Sequence, residues 1–450
     1  MQSPDTSPSN VSISTGNDRD DFQPKKEFGK GLESEKTIAQ PFSEFPEGGF
    51  AAWTTVLGAA LIQFCGFGYT SSFGVYQDFF VQHYLSNESA SSIAWIGSVN
   101  AFLSVACSII SGPLYDRGHF YYLVIGGSLL QSFSLFMLSL AKPGEFYQIF
   151  LTLGLGCGLA EGLMYVASIA VVTHYFQKRR TLVMTLVTAG SALGSVIHPI
   201  ILNNLLNGPL GFANGVRISA ALVTCMLLLA CLLMRTRLPP PAKKVSYIQV
   251  AKRATGDSAF MLATTGSLVF LMGYYFPYFF LQLDCVLHGL NKSFSFYSLV
   301  ILNASSFLGR LTCGFIVKYV EVHLFVVIAV GACTLVILGM IGLSSLSGSV
   351  LIAITFGYFA GVYIALASPL IASLTSDFSE LGARMGIFMT IAAFGTLIGS
   401  PIQGALLGVD HVWWRAGVFS GIIGMAGTSL IAVSYLIVLR RRHNKILPSM

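Results

Sequence analysis

Twelve apolar runs of about twenty residues, parted by short polar connections, constrain this chain more than any single residue does. A run of that length crosses a ~30 Å hydrocarbon layer as an α-helix. Inside such a layer no water satisfies the backbone N–H and C=O groups, so a spanning segment must supply its own hydrogen bonds. The runs lie near 52–76, 91–114, 120–140, 146–172, 181–206, 215–235, 258–283, 295–318, 323–343, 347–374, 384–408 and 415–439, and each is read as a transmembrane helix. Composition agrees. Of 450 residues, 54% are hydrophobic and only 10% charged, against about 25% charged in a soluble domain. The fold class expected is an all-α membrane protein.

The 46 glycines fall largely inside the apolar runs, which suits close packing of helices. The eight cysteines lie almost all in those runs and form no C-x-x-C, so they read as small buried side chains rather than a disulfide or metal framework. No cofactor is implied. The net charge of +6 sits in short loops, not on one face, which argues against nucleic acid as a partner. Residues 1–50 are rich in Ser, Asp, Lys and Glu with no apolar run; a disordered tail is expected. No apolar signal region follows the start, so the first helix is expected to act as its own signal.

Lys and Arg set the orientation, because cytosolic loops carry the excess. One set of connections holds Arg117, Lys178, Arg179, Arg180, Arg235, Arg237, Lys243, Lys244, Lys252, Arg253, Lys318, Arg384, Arg440, Arg441, Arg442 and Lys445. The other holds only Lys142, Arg217, Lys292 and Arg415. Both termini are therefore predicted to be cytosolic. Asn87 and Asn291 head sequons in loops predicted to face outward. The longest internal connection, 236–257, opens on Pro239, Pro240 and Pro241, which end a helix, and continues into a basic stretch suited to the inner leaflet. The expected organisation is a tail at 1–50, six helices at 51–235, a linker at 236–257, six helices at 258–439 and a basic tail at 440–450.

An internal repeat supports six plus six. In Tyr175–Gly194 a basic cluster leads into an apolar segment with Gly190-x-x-x-Gly194, followed by Ser195 and Pro199. In the eleventh run Arg384 precedes Gly395-x-x-x-Gly399, Ser400 and Pro401. Ala167-Ser168 in the fourth run matches Ala367-Ser368 in the tenth, and Gly112 to Arg117 matches Gly309-Arg310 through Gly314 to Lys318. Related halves of this kind enclose a cavity near the bilayer midplane and rock around it. The four glycines Gly190, Gly194, Gly395 and Gly399 are read as helix-packing positions, with the fifth and eleventh runs facing the cavity or the opposing half.

With these features the chain resembles the major facilitator superfamily. Gly112, Leu114, Asp116, Arg117 and Gly118 fit that family's G-x-L-x-D-R-x-G loop, although His119, Phe120 and Tyr121 replace its basic end. The resemblance implies two pseudo-symmetric six-helix bundles. It also implies that Gly112, Asp116 and Arg117 form a conformational latch, with Asp116 pairing with a cation or a helix end of the other half. Glu47-Gly48-Gly49-Phe50-Ala51-Ala52-Trp53, and Tyr175-Phe176-x-Lys178-Arg179-Arg180 with Ala189-Gly190-Ser191, resemble signatures of the monocarboxylate transporter-like family. Phe67 to Tyr76 looks most like its fungal branch. That family's proton-coupled carriers of lactate or pyruvate use a Lys in the first helix and an Asp four residues before an Arg in the eighth. Here Arg310 matches the Arg, Ser306 stands where the Asp would be, and the first run has no Lys.

Charged and polar side chains inside the runs are the site candidates, since they are costly in lipid unless they face a cavity or a partner. Arg310 is read as a clamp for an anionic group or as a structural arginine meeting helix carbonyls. Glu161 is read as a substrate-site residue, proton carrier or partner of Arg310, or as a neutral helix-to-helix hydrogen bonder. Gln63 and Asn303 are placed in the substrate site, and Asn100 and Gln403 either face the cavity or tie helices. His198 is expected near the outer mouth. Tyr274, Tyr275, Phe276 and Tyr278 suit a cavity wall or an interfacial belt. No catalytic or metal-binding residue is assigned. The leading expectation is a secondary transporter of a small organic anion such as a monocarboxylate, with protons as a second partner, in the plasma membrane. The alternatives are efflux of a secondary metabolite, uptake of a vitamin, or a non-transporting sensor. No G-x-x-x-x-G-K-[ST] is present to bind ATP, and no paired carboxylates or H-E-x-x-H suggest an enzyme.

Overall fold

A computed structural model describes residues 45–88, 90–238, 247–287, 292–342, 345–375, 377, 380–407 and 413–446. The tail before 45, Lys243, Lys244 and Asn291 lie outside the described residues. Among the described residues every regular element is a helix, and twelve are long and apolar enough to cross a membrane. Spans 1 to 6 are Phe50–Gln77, Trp95–Asp116, Phe120–Leu138, Phe146–His174, Arg180–Leu206 and Gly211–Leu233. Spans 7 to 12 are Ser258–Tyr278, Tyr297–Ile316, Val322–Gly342, Leu346–Leu374, Leu381–Leu407 and Trp413–His443. Each overlaps one of the twelve apolar runs.

The glycine repeat becomes a repeat of contacts. A Cβ on Gly190 would collide with the carbonyl of Ala60, and one on Gly194 would lie 2.5 Å from that of Phe64, so span 5 lies backbone-to-backbone on span 1. Gly395 and Gly399 meet the carbonyls of Leu268 and Met272 in the same way, laying span 11 on span 7. Span 4 packs on span 2 through Gly158 and Gly162 against Asn100 and Leu103; span 10 packs on span 8 through Gly357 and Gly361 against Leu302 and Ser306. In lipid, helices gain little from the hydrophobic effect on meeting each other, so close van der Waals approach over small residues has to hold them. These faces therefore bind neighbours within spans 1–6 or within spans 7–12. Gly190, Gly194, Gly395 and Gly399 thus pack helices of one half together, and other faces of spans 5 and 11, with Thr188, Ser191, Phe388 and Thr396, look toward the cavity.

Three departures from the sequence reading have local causes. Span 1 is broken at Gly66 and again at Ser71–Ser72, and span 7 at Tyr275. The linker contains a helix, Tyr247–Gly256, that buries Val250 and Ala254 and presents Arg253 to Glu380 at 2.6 Å. The last helix runs on to Ile446, through the expected basic tail, because Arg441 meets Asp257 at 2.8 Å and Arg442 pairs with Glu321.

Candidate functional site

Midway along the spans lies a cavity of about 650 Å³, counted as all the space between atoms with open solvent included. Spans 1, 2, 4 and 5 form one wall and spans 7, 10 and 11 the other. Gln63 and Phe67 come from span 1, Tyr165 from span 4, Thr188 and Ser191 from span 5. Tyr275 and Tyr363 face them, with Phe388, Met389 and Thr396 of span 11. No lining side chain is charged. The polar groups are hydroxyls and one amide, and that amide is engaged: Gln63 Nε2 donates to Ser168 Oγ at 2.8 Å. Such a space takes aromatic or aliphatic surface and a few neutral hydrogen bonds.

Of the other residues assigned to substrate, none lines the cavity. Arg310 lies behind its wall. The guanidinium, 4% exposed, donates to Thr188 O at 2.8 Å and to Ser191 Oγ, so span 8 grips the two residues that span 5 shows to the cavity. Asn303 bonds its own helix at Leu299 O. Glu161, 3% exposed, accepts from Thr70 Oγ1 at 2.9 Å and from Ser104 Oγ at 2.7 Å. No ion pair joins it to Arg310 among the described residues, so of the alternatives read from the sequence the pairing of the two is not found. Gln403 ties span 11 to Met272 O of span 7, and His198, fully buried against the rings of Phe64 and Tyr69, is not at a mouth.

At one end of the cavity the two sets of six spans meet. Asp116 accepts from the backbone N–H groups of Gly382 at 3.0 Å and Ala383 at 2.7 Å, the first turn of span 11. Gly112 lets the chains approach, for a Cβ there would strike the carbonyl of Gly382. Thr390 Oγ1 donates to Ala106 O at 2.8 Å, and Gly314 of span 8 lies against Leu182 and Thr185 of span 5. Arg117 is exposed beside this contact. The pairs 2–11 and 5–8 thus close the molecule at the Asp116 end.

The two signature stretches near the start of spans 1 and 5 lock onto each other. Glu47 accepts from the N–H groups of Gln177 at 2.8 Å, Lys178 at 2.5 Å and Arg179 at 3.2 Å, just before span 5 begins. Trp53 packs edge-on against Phe176 at 5.4 Å, and Tyr175 donates to Arg235 O. Burial alone would raise the Glu47 carboxyl, but the three N–H donors and the Lys178 charge outweigh it and hold the group below its ordinary value. Glu47 itself takes a positive φ of 51°, a strained geometry that these bonds secure.

Sequence reasoning missed the aromatic and small residues that shape the cavity, Tyr165, Tyr363, Phe388, Ala392 and Ala393 among them. Spaced among other apolar residues they carry no signal of their own; only the Ala167 and Ala367 repeat pointed to the right stretches of spans 4 and 10.

Comparison with known proteins places this architecture. The sequence profile of the Major Facilitator Superfamily matches residues 59–379. The aspyridones efflux protein apdF of Emericella nidulans is 36% identical over 86% of this chain and 78% of its own length. The agnestins efflux protein AgnL12 of Paecilomyces divaricatus is 32% identical over 85% of this chain and 86% of its own. Among solved structures, the human organic anion transporter MFSD10 superposes with a TM-score of 0.68 at 14% identity, covering 85% of this chain and 98% of its own. The transporter FucP in the outward conformation also gives 0.68, at 13% identity and with the same coverage. With that profile spanning most of the chain, and relatives of this similarity along nearly its whole length, the protein is a member of the major facilitator superfamily.

Proposed function

We propose that the protein exports an amphipathic, mostly apolar small molecule, a fungal secondary metabolite, by alternating access. The observation that carries this reading is the cavity lining: aromatic and aliphatic side chains with hydroxyls and one amide, and no charge. A carboxylate cargo would be stranded there without a cation, at a cost of several kcal/mol. Among the described residues Arg310 is the cation set behind this wall; its Nη1 is engaged by span 5 and its Nε is buried without a partner, and no part of it lines the cavity. The names of the similar fungal proteins support efflux over the uptake of a monocarboxylate.

In this reading residues 51–235 and 258–439 are the two rocking halves, joined by the linker at 236–257. Both termini and the Asp116 end face the cytosol, as the Lys and Arg distribution argues, and the membrane is the plasma membrane. Asp116, Gly112 and Arg117 act as the latch of the cytosol-closed form, and Arg310 as a second clasp. Gln63 offers the cargo a neutral hydrogen bond. The interlocked Glu47 and Tyr175 stretches support placing the chain in the monocarboxylate transporter-like branch by ancestry, with its cargo changed.

The test is metabolite partition in the fungus that carries the gene. Deletion is expected to leave one compound class in the mycelium and deplete it from the medium, and re-expression to restore the balance. An unchanged partition, with labelled lactate taken up by proteoliposomes of the purified protein, would favour the carboxylate reading instead.

A further inference from the structure

Behind the cavity wall, spans 1, 2 and 4 enclose a cluster of oxygen atoms that has too few protons. Thr70 Oγ1 stands 2.7 Å from Asn100 Oδ1 and 2.9 Å from Glu161 Oε2. Ser104 Oγ stands 2.8 Å from Asn100 O and 2.7 Å from the same Glu161 Oε2. These are four oxygen–oxygen contacts, and the two hydroxyls bring one proton each. Turning the Asn100 amide over does not help. Its Nδ2 donates to Leu153 O at 2.5 Å, and a flip would set carbonyl against carbonyl. A proton on Glu161 Oε2 raises the count to three and satisfies both contacts of Thr70, leaving Ser104 to share its single proton between Asn100 O and Glu161 Oε2. The Glu161 proton bonds Thr70 Oγ1, and the Thr70 proton goes to Asn100 Oδ1. The other carboxyl oxygen, Oε1, is buried with no partner, which an ionised carboxylate in lipid could ill sustain.

We propose that Glu161 is a proton-binding site lodged wholly in spans 1, 2 and 4, apart from the cargo cavity, and that the conformation closed at the Asp116 end is its protonated form. This rests on the efflux reading and deepens it: protonation favours the closed form without forbidding the open one, so a proton enters from the far side in the closed form, leaves at the Asp116 end in the less populated open form, and drives cargo the other way. Titratable and charged groups on the helices around Glu161 are Cys65, Tyr69 and Tyr76 of span 1, Cys107, Tyr115 and Asp116 of span 2, and Tyr121 and Tyr122 of span 3. Span 4 itself adds Tyr147, Cys157, Tyr165 and His174, span 5 adds Arg180 and His198, and span 11 adds Arg384. None of them hydrogen-bonds or ion-pairs with Glu161 among the described contacts.

Span 1 links the two sites. Its break at Gly66 lies against Glu161, for a Cβ there would be 3.1 Å from the Glu161 Cγ. Gln63 and Phe67, on either side of that break, face the cavity. Loss of the proton leaves the carboxylate against the Asn100 and Thr70 oxygens, and span 1 must move to relieve it. Among the described residues the second half shows no matching site at the equivalent positions. The matched glycine contacts set Ala360 in the place of Glu161 and Leu302 in that of Asn100, with Ser306 in that of Ser104.

Two measurements on the purified full-length protein in lipid nanodiscs test this, and neither needs the cargo. Infrared difference spectra during a pH titration read the C=O stretch of a protonated carboxylic acid. Wild type is expected to lose one such band as pH rises, and Glu161→Gln to lack it. A cysteine placed at Thr390, in a background with the exposed Cys225 replaced by Ser, reports opening at the Asp116 end by its rate of maleimide labelling. Because the thiolate is the reacting form, each rate is divided by that of free glutathione at the same pH; with Glu161 intact this ratio is expected to be about ten-fold higher at alkaline than at acid pH. In Glu161→Gln, whose amide donates as the protonated acid does, the ratio should stay low at both. Absence of the band in wild type, its persistence in Glu161→Gln, or a Glu161→Gln protein that opens with pH like wild type would overturn the site. Export lost with both readouts intact would sink the efflux reading and leave the site standing; export intact with neither readout would do the reverse.

Discussion

Asp116 and Glu47 are both carboxylates that accept backbone N–H groups at the start of a span, but they differ in whose span it is. Asp116 of span 2 caps span 11, in the other set of six; Glu47 caps span 5 from the approach to span 1. A cap of this kind stabilises its helix end by about 0.5–2 kcal/mol. For Asp116 that energy belongs to the closed conformation, so Asp116→Ala is expected to raise the open population by about two- to thirty-fold, read as faster maleimide labelling at Thr390→Cys. For Glu47 it belongs to the fold. Glu47→Ala is expected to lower the melting temperature without changing that labelling. The sign of its pH dependence follows from the lowered value: the contribution is complete above the ordinary carboxylate value of 4.5 and is lost only as pH falls through the lowered one. A thermal stability that drops between pH 8 and 6 in wild type but not in Glu47→Ala would contradict this. Glu161 and Arg310 were legible as anomalies in the sequence, because charge in an apolar run is conspicuous. Their partners were not, because Thr70, Ser104, Thr188 and Ser191 are ordinary small residues of spans 1, 2 and 5.

At the scale of the helices, the sequence disclosed number, order and repeat, and left out direction. A span with lipid on one side and protein on the other is apolar all round, so no polar stripe marks the buried face as it does on a soluble helix. Glycine spacing partly replaces that stripe. Gly190 and Gly194 reported that span 5 has a close neighbour, but which neighbour needed coordinates, and it is span 1. The consequence concerns folding more than gating. Gly194→Leu sets a large side chain where a bare Cβ already lies 2.5 Å from Phe64 O, and it is expected to abolish stable expression. The milder Gly194→Ala and Gly399→Ala should each cost about 1–3 kcal/mol as overpacked contacts, read as a lower melting temperature in detergent. If Gly194→Ala keeps wild-type stability but slows labelling at Thr390→Cys, then span 5 slides on span 1 during opening, and its glycine face belongs to the gate.

For the whole molecule, what must break on opening is modest. The cross-half contacts named at the Asp116 end are two bonds to Asp116, two from Arg310 and one from Thr390, each about 0.5–3 kcal/mol. The denser charge network beside them, Arg253–Glu380–Arg384 with Asp257 and Arg441, joins the linker to spans 7, 11 and 12. It lies on one side of the seam and need not part when the halves do. Opening is thus within reach of a ligand or a proton that prefers one form by a few kcal/mol. If closure at this end alternates with access to the cavity, then welding the 2–11 contact must stop transport. In the double variant Ala106→Cys with Thr390→Cys, whose parent residues meet at 2.8 Å, a short thiol-to-thiol cross-linker is expected to abolish export of the metabolite retained by the deletion strain. A reducible cross-linker should give activity back on reduction, and either single variant should be unaffected by the reagent. Full export by the cross-linked protein would mean that spans 2 and 11 stay together throughout the cycle, and that the cargo leaves by a route other than rocking about this cavity.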